Sequence, residues 1–158
     1  MSSIWDNTYT LGDSSATVIS AGPGIKITTD EPGVIKVSND ETVLWSGAYS
    51  TATTSVNLSE NFNNFEKLEV WWIQQNARPI VHTYQTDNLS QLFCIHGKTE
   101  NGQAIMFMAG WNKGNDGLSF SKNWCKYTPT HQWGTFYEAN ELVPVKIIGC
   151  NRKQNGGN

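Results

Sequence analysis

Three histidines, three cysteines and fourteen carboxylates make up the side chains of this chain best suited to chemistry. His82, His96 and His131 stand far apart in sequence, and none falls in an HExxH or similar metal-ligand spacing. Cys94, Cys125 and Cys150 are odd in number and form no CxxC pair, which argues against a zinc site and a disulfide framework and predicts buried free thiols. Neither a G-x-S-x-G elbow nor a phosphate-binding P-loop occurs. Glu66, Glu69, Asp87, Glu100, Asp116, Glu138 and Glu141 could in principle supply a glycosidase pair, yet most fall in turns or on solvated strand faces. The expectation is a protein without catalytic residues, cofactor or metal. One histidine per subunit on a threefold axis is the single metal arrangement worth naming, with His96, beside Cys94, its better candidate.

Aromatic residues offer a different chemistry. Trp111, Trp124, Tyr127, Trp133 and Tyr137 are interleaved with Asn112, Lys113, Asn115, Asp116, Asn123, Lys126 and His131. An aromatic face takes the apolar side of a sugar ring while planar polar groups take its hydroxyls, and binding pockets mix apolar walls with a few placed polar groups in this way. Trp111, Asn115, Trp124, Tyr127 and Trp133 are therefore the candidate saccharide-binding residues. At least two of the five rings in the cluster are expected to be structural, because aromatics contribute heavily to cores and interfaces.

These residues need a scaffold, and composition points to strands. Asn, Thr, Ser and Gln number 16, 15, 13 and 7, while charged residues reach only 16%. Thr and aromatics suit pleated surfaces, and Asn and Gly suit tight turns. The net charge of −3 argues against nucleic acid, which requires clustered Lys and Arg. No run of about 18 apolar residues is present, so no membrane insertion is expected. The first residues lack a signal-peptide pattern, which suggests assembly in a cytosol.

Alternation at Gly24 to Thr28 and Val34 to Ser38, around a turn at 29–33, predicts a short hairpin with Ile25, Ile27, Ile35 and Val37 on one face. A lone hairpin is marginal in water, so three copies around an axis would bury those residues against each other. Longer strands follow at Glu41 to Ser46, Thr54 to Leu58, Leu68 to Ile73 and Val143 to Ile148. Trp71 and Trp72 should point to opposite faces. The Asn101-Gly102 pair predicts a two-residue turn joining Phe93–Glu100 to Gln103–Ala109. In that register Phe93, Ile95, Met106 and Met108 share one face, and Cys94, His96, Ile105 and Phe107 the other. Residues 75 to 90 and 110 to 140 read as binding loops, apart from a short strand at Leu118 to Lys122. The expected fold is all-β: a short trimeric β neck, then an antiparallel β-sandwich, jelly-roll-like head. Its expected divisions are an N-terminal connector (1–20), the neck (21–41), the head (42–150) and a flexible tail (151–158).

Three stretches resemble the carboxy-terminal tips of bacteriophage tail fibres and receptor-binding proteins. Ser20-Ala-Gly-Pro-Gly-Ile-Lys-Ile-Thr28, continuing into Gly33-Val-Ile-Lys-Val-Ser-Asn-Asp-Glu-Thr-Val-Leu-Trp-Ser46, is similar to the neck leading into a fibre head. Val56-Asn-Leu-Ser-Glu-Asn-Phe-Asn-Asn-Phe-Glu-Lys-Leu-Glu-Val-Trp71 resembles the first hairpin of such heads, and Val145-Lys-Ile-Ile-Gly-Cys-Asn-Arg152 their closing strand. Cys150 departs from the family pattern, which has Ile there. The likeness covers about a third of the chain and leaves 75–140 unmatched. It implies a homotrimer at a virion tail tip, joined to other tail proteins through its N-terminus and attached to a bacterial surface saccharide or protein. A monomeric carbohydrate-binding module and a purely structural tail component are the alternatives.

Overall fold

The computed structural model describes residues 25–31, 34–75 and 77–153. The expected connector at 1–20 and the first neck residues lie outside them. The neck hairpin pairs β1 (Ile25–Glu31) with β2 (Val34–Asn39), placing Ile27 opposite Val37. Residues two apart on a strand share a face. Ile25, Ile35 and Val37 are exposed there, and Ile27 is half-buried.

The rest of the described chain forms two antiparallel sheets. The first has the order β3 (Glu41–Ser46), β11 (Leu142–Arg152), β5 (Phe65–Gln74), β6 (Ile80–Gln85). The second runs β10 (Tyr137–Glu138), β9 (Ser119–Pro129), β8 (Gln103–Lys113), β7 (Gln91–Glu100). A short β4 (Ser55–Asn57) shares the outer edge of β9 with β10, pairing at Ser119 to Ser121, while β10 pairs at Lys126 and Tyr127. Two single 3-10 turns, at Phe62–Asn64 and Thr130–Gln132, are the only helical elements among the described residues. The expected β-sandwich is what the chain builds.

Period-two alternation explains the core. β5 buries Leu68, Val70, Trp72 and Gln74 inward and leaves Trp71 half-buried outside, as its pattern predicts. β8 turns Phe107, Ala109 and Trp111 inward, and Leu92 and Cys94 of β7 meet them. Trp72 and Trp111 pack edge to face with ring centroids 6.4 Å apart. Burial pushes the Cys94 thiol up to about 12, with the neighbouring Cys125 adding to the shift, so Cys94 acts as a small apolar filler. The Asn101-Gly102 turn forms as expected, both residues at positive φ (50° and 75°), and the predicted two faces of the β7–β8 hairpin follow from it.

Four expectations are corrected. Residues 80–85 form the edge strand β6 rather than part of a binding loop. Residues 123–129, read as irregular, continue β9 past a bulge. Gly110 faces Trp124 while Trp111 faces Lys122, so Asn123 is the extra residue. A bulge of this kind re-aims the side chains beyond it. Phe120 therefore enters the core, and Trp124, which would share its face in a regular strand, turns outward. The expected tail begins too early, because β11 runs through Asn151 and Arg152; residues 154–158 lie outside the described ones. Finally, Pro144 lies in a strand flanked on both sides, not at a strand start or on a sheet edge. It is tolerated because β3 pairs only with Lys146 to Cys150, and the β5 ladder shifts register between Pro144 and Lys146.

Candidate functional site at the distal end of the sandwich

The chain enters the head at Asp40, and that end is closed. The Asp40 backbone carbonyl accepts from Asn151 N at 2.9 Å, and its carboxylate accepts from Arg152 N at 2.8 Å. Arg152 donates to both Glu60 oxygens, at 2.9 and 2.6 Å, and its guanidinium lies 4.6 Å over the Phe65 ring. The hydrogen bond from Arg152 holds the Glu60 carboxyl below its usual 4.5. Asn61 caps the short turn at Phe62, accepting from Asn63 N and donating to the Asp116 carbonyl. Phe62 stacks on Phe120 beneath it, centroids 5.3 Å apart.

At 3.3 Å per residue, β11 carries the structure roughly 33 Å from Arg152 back to Leu142. There the sheets part around a cleft of about 300 Å³, lined by Gln75, Lys98, Ile105, Phe107, Tyr127 and Glu141. Register builds its wall. His96 faces Phe107 across β7 and β8, Phe107 faces Tyr127 across β8 and β9, and Tyr127 faces Tyr137 across β9 and β10. One row of the inner face thus crosses four strands with four rings. Phe107 and Tyr127 stack at 5.8 Å with planes 29° apart, and Tyr127 and Tyr137 at 5.1 Å and 25°. The Lys98 ammonium sits 5.3 Å from the Phe107 centroid. Burial, and then the Lys98 charge, hold His96 below the ordinary imidazole range, so it is neutral at pH 7.

The stack emerges from the interior. Phe107 is 4% exposed, Tyr127 half-buried, and Tyr137, the terminal ring, 39% exposed. Tyr137 is held by its hydroxyl, which donates to Gln132 Oε1 at 2.7 Å. Every residue from 131 to 138 is exposed, Trp133 at 67%. Glu141 is held in place by Gln74 Nε2, which donates to its Oε2 at 2.9 Å, and by Tyr49, whose hydroxyl donates to the Glu141 carbonyl.

No protein-family model matches the chain, and no curated protein matches it either. The site is therefore read from its geometry. Of the five predicted binding residues, Tyr127 lies in the cleft wall, and Trp133 stands in the exposed segment just after β9. Trp124 lies on the opposite face of the same sheet, against Phe93 at 5.7 Å. Asn115 is exposed in the turn between β8 and β9, at the end where the chain enters. Trp111 is wholly enclosed, and with no ring face open to a ligand it is a core residue, which corrects its assignment as a binding one. Sequence reasoning passed over Gln75, Lys98 and Phe107 as binding residues, and placed Tyr137 and Glu141 outside the site. The hairpin register already set Phe107 opposite His96; the third strand, shifted by its bulge, carried no comparable signal.

Proposed function

We propose that this chain is the receptor-binding tip of a bacteriophage tail fibre, a virion component that attaches to a bacterial surface saccharide through its distal cleft. The observation that carries this reading is the ring stack ending in exposed Tyr137, beside Glu141, Gln75 and Lys98, at the end opposite the chain's entry. Stacked rings cover one another's faces, so Phe107 and Tyr127 line the cleft and Tyr137 carries the outermost face. That ring and Trp133 suit the apolar side of a pyranose. A carboxylate, an amide and an ammonium suit its hydroxyls, in the mixture usual for small-ligand sites.

Binding without hydrolysis fits the same lining. Glu141 is the single carboxylate among the described residues around the cleft, and the usual glycosidase mechanism needs two. The exposed aliphatic face of the neck supports a homotrimer joined through β1 and β2, since a two-stranded hairpin is marginal alone.

A glycan array and adhesion to bacterial cells test the proposal together. Wild type is expected to retain a defined saccharide, and Tyr137→Ala and Trp133→Ala to weaken retention about tenfold or more, equivalent to about 1.4 kcal/mol each. Full binding by both variants removes the distal cleft from the site. Binding of no saccharide and adhesion to no cell would sink the receptor reading.

A further inference from the structure

The two outer faces of the sandwich differ in chemistry. Outside β11 and β5, Glu69 accepts from Trp71 Nε1 at 2.7 Å and the Lys146 ammonium lies 5.2 Å from the Trp71 ring, so charged groups dress that surface for water. Outside β7, β8 and β9 the rows read Phe93–Gly110–Trp124 and Ile95–Met108–Lys126. Phe93 and Ile95 are 41% and 43% exposed, and Phe136, at 51%, joins Met108, Trp124 and Lys126 around a depression of about 360 Å³. The absent side chain of Gly110 lets Trp124 lie across it, because a Cβ there would meet the indole at 2.7 Å. The one cation in these rows, Lys126, is paired with Glu138 of the same chain at 3.4 Å.

We propose that this outer face of β7, β8 and β9 is a self-association surface that meets a second copy of the chain. Aromatic and methionine side chains with few charges are the composition of a protein–protein interface core. Because its only charge is already neutralised internally, the face is matched by a neutral apolar surface, and a second copy supplies one. The neck brings that copy close. Only Asp40 separates β2 from β3, and it is hydrogen-bonded into the end of β11, so no slack segment separates hairpin from head. Copies joined through the hairpin hold their heads side by side. The inference extends the self-association of the proposed tip from the neck into the head.

Sedimentation equilibrium of the full chain over a range of concentrations tests it. Wild type is expected to assemble. Ile95→Lys and Phe93→Lys are each expected to raise the midpoint concentration of assembly at least about tenfold, since each buries an unpaired charge at the contact. Val81→Lys, at a 45% exposed position on the other outer face, is expected to leave the midpoint unchanged. Two positions are used so that a folding defect at one leaves the other readable. Assembly of all three variants at the wild-type midpoint overturns the head surface while the neck stands. A wild type of 17.6 kDa at every concentration overturns both.

Discussion

The two ends of the head use aromatic rings and charges in opposite ways. Where the chain enters, Phe62 and Phe120 are sealed under a capped turn, and Arg152 is pinned between Glu60 and Phe65. At the far end the stacked row runs outward to Tyr137, and Trp133 stands in solvent. One end satisfies its polar groups within the chain. The other leaves rings and a carboxylate facing a cleft. A site differs from a closure here by what remains uncovered, since both ends are built from Phe, Tyr, Asn and Glu.

Substitutions at the two ends break that contrast in order of size. Phe62→Ala, which empties a fully buried position, is expected to cost about 3–5 kcal/mol in denaturant unfolding, whereas Trp133→Ala should stay within about 0.5 kcal/mol. Equal losses would erase the distinction between closure and site. Glu60→Gln is expected to cost about 1 kcal/mol or less at pH 7, because both partners are partly exposed. Its pH dependence is the sharper readout. Arg152 depresses the folded-state pKa of Glu60, so its contribution is present above the unfolded value and disappears as pH falls through the lower folded one. The variant should therefore lose less stability than wild type when pH is lowered below about 4.5. Parallel acid limbs would remove the ion pair from the closure. Smallest is Asn115→Ala: with the residue exposed at the entry end, saccharide retention should match wild type and stability shift by under about 0.5 kcal/mol. Weakened binding there would move the site to the wrong end.

The strands with strong local signals were legible from sequence. Asn101-Gly102 set a hairpin register that holds residue by residue, and Leu68 to Ile73 placed Trp71 and Trp72 on opposite faces. Ile80 to Gln85 was hidden because His82, Thr83 and Gln85 are polar and Pro79 marks a boundary just before them, so an edge strand reads as a loop. The candidate site was half legible. Its aromatic richness was visible, but which ring goes where depends on strand partners distant in sequence. The bulge at Asn123 decides that Trp124 leaves the face shared by Phe120 and Tyr127, and no residue near it announces a bulge. Trp111 was misplaced for a related reason: Trp72, which covers it, is 39 residues away in the other sheet.

The junction at Asp40 also bears on force. β3 begins beside it and runs antiparallel to β11, which begins at Leu142 next to the cleft. A fibre pulling on the neck while a receptor holds the distal end draws these two strands past each other along their length. Antiparallel hydrogen bonds lie perpendicular to their strands. The ladder from Lys146–Ser46 to Cys150–Glu41 then resists in shear, all its bonds sharing the load, instead of parting one at a time. Handles placed at Asp40 and Trp133 in a single-molecule pulling experiment should accordingly rupture the head at higher force than handles at Asp40 and Arg152, which peel the same pair open from one end.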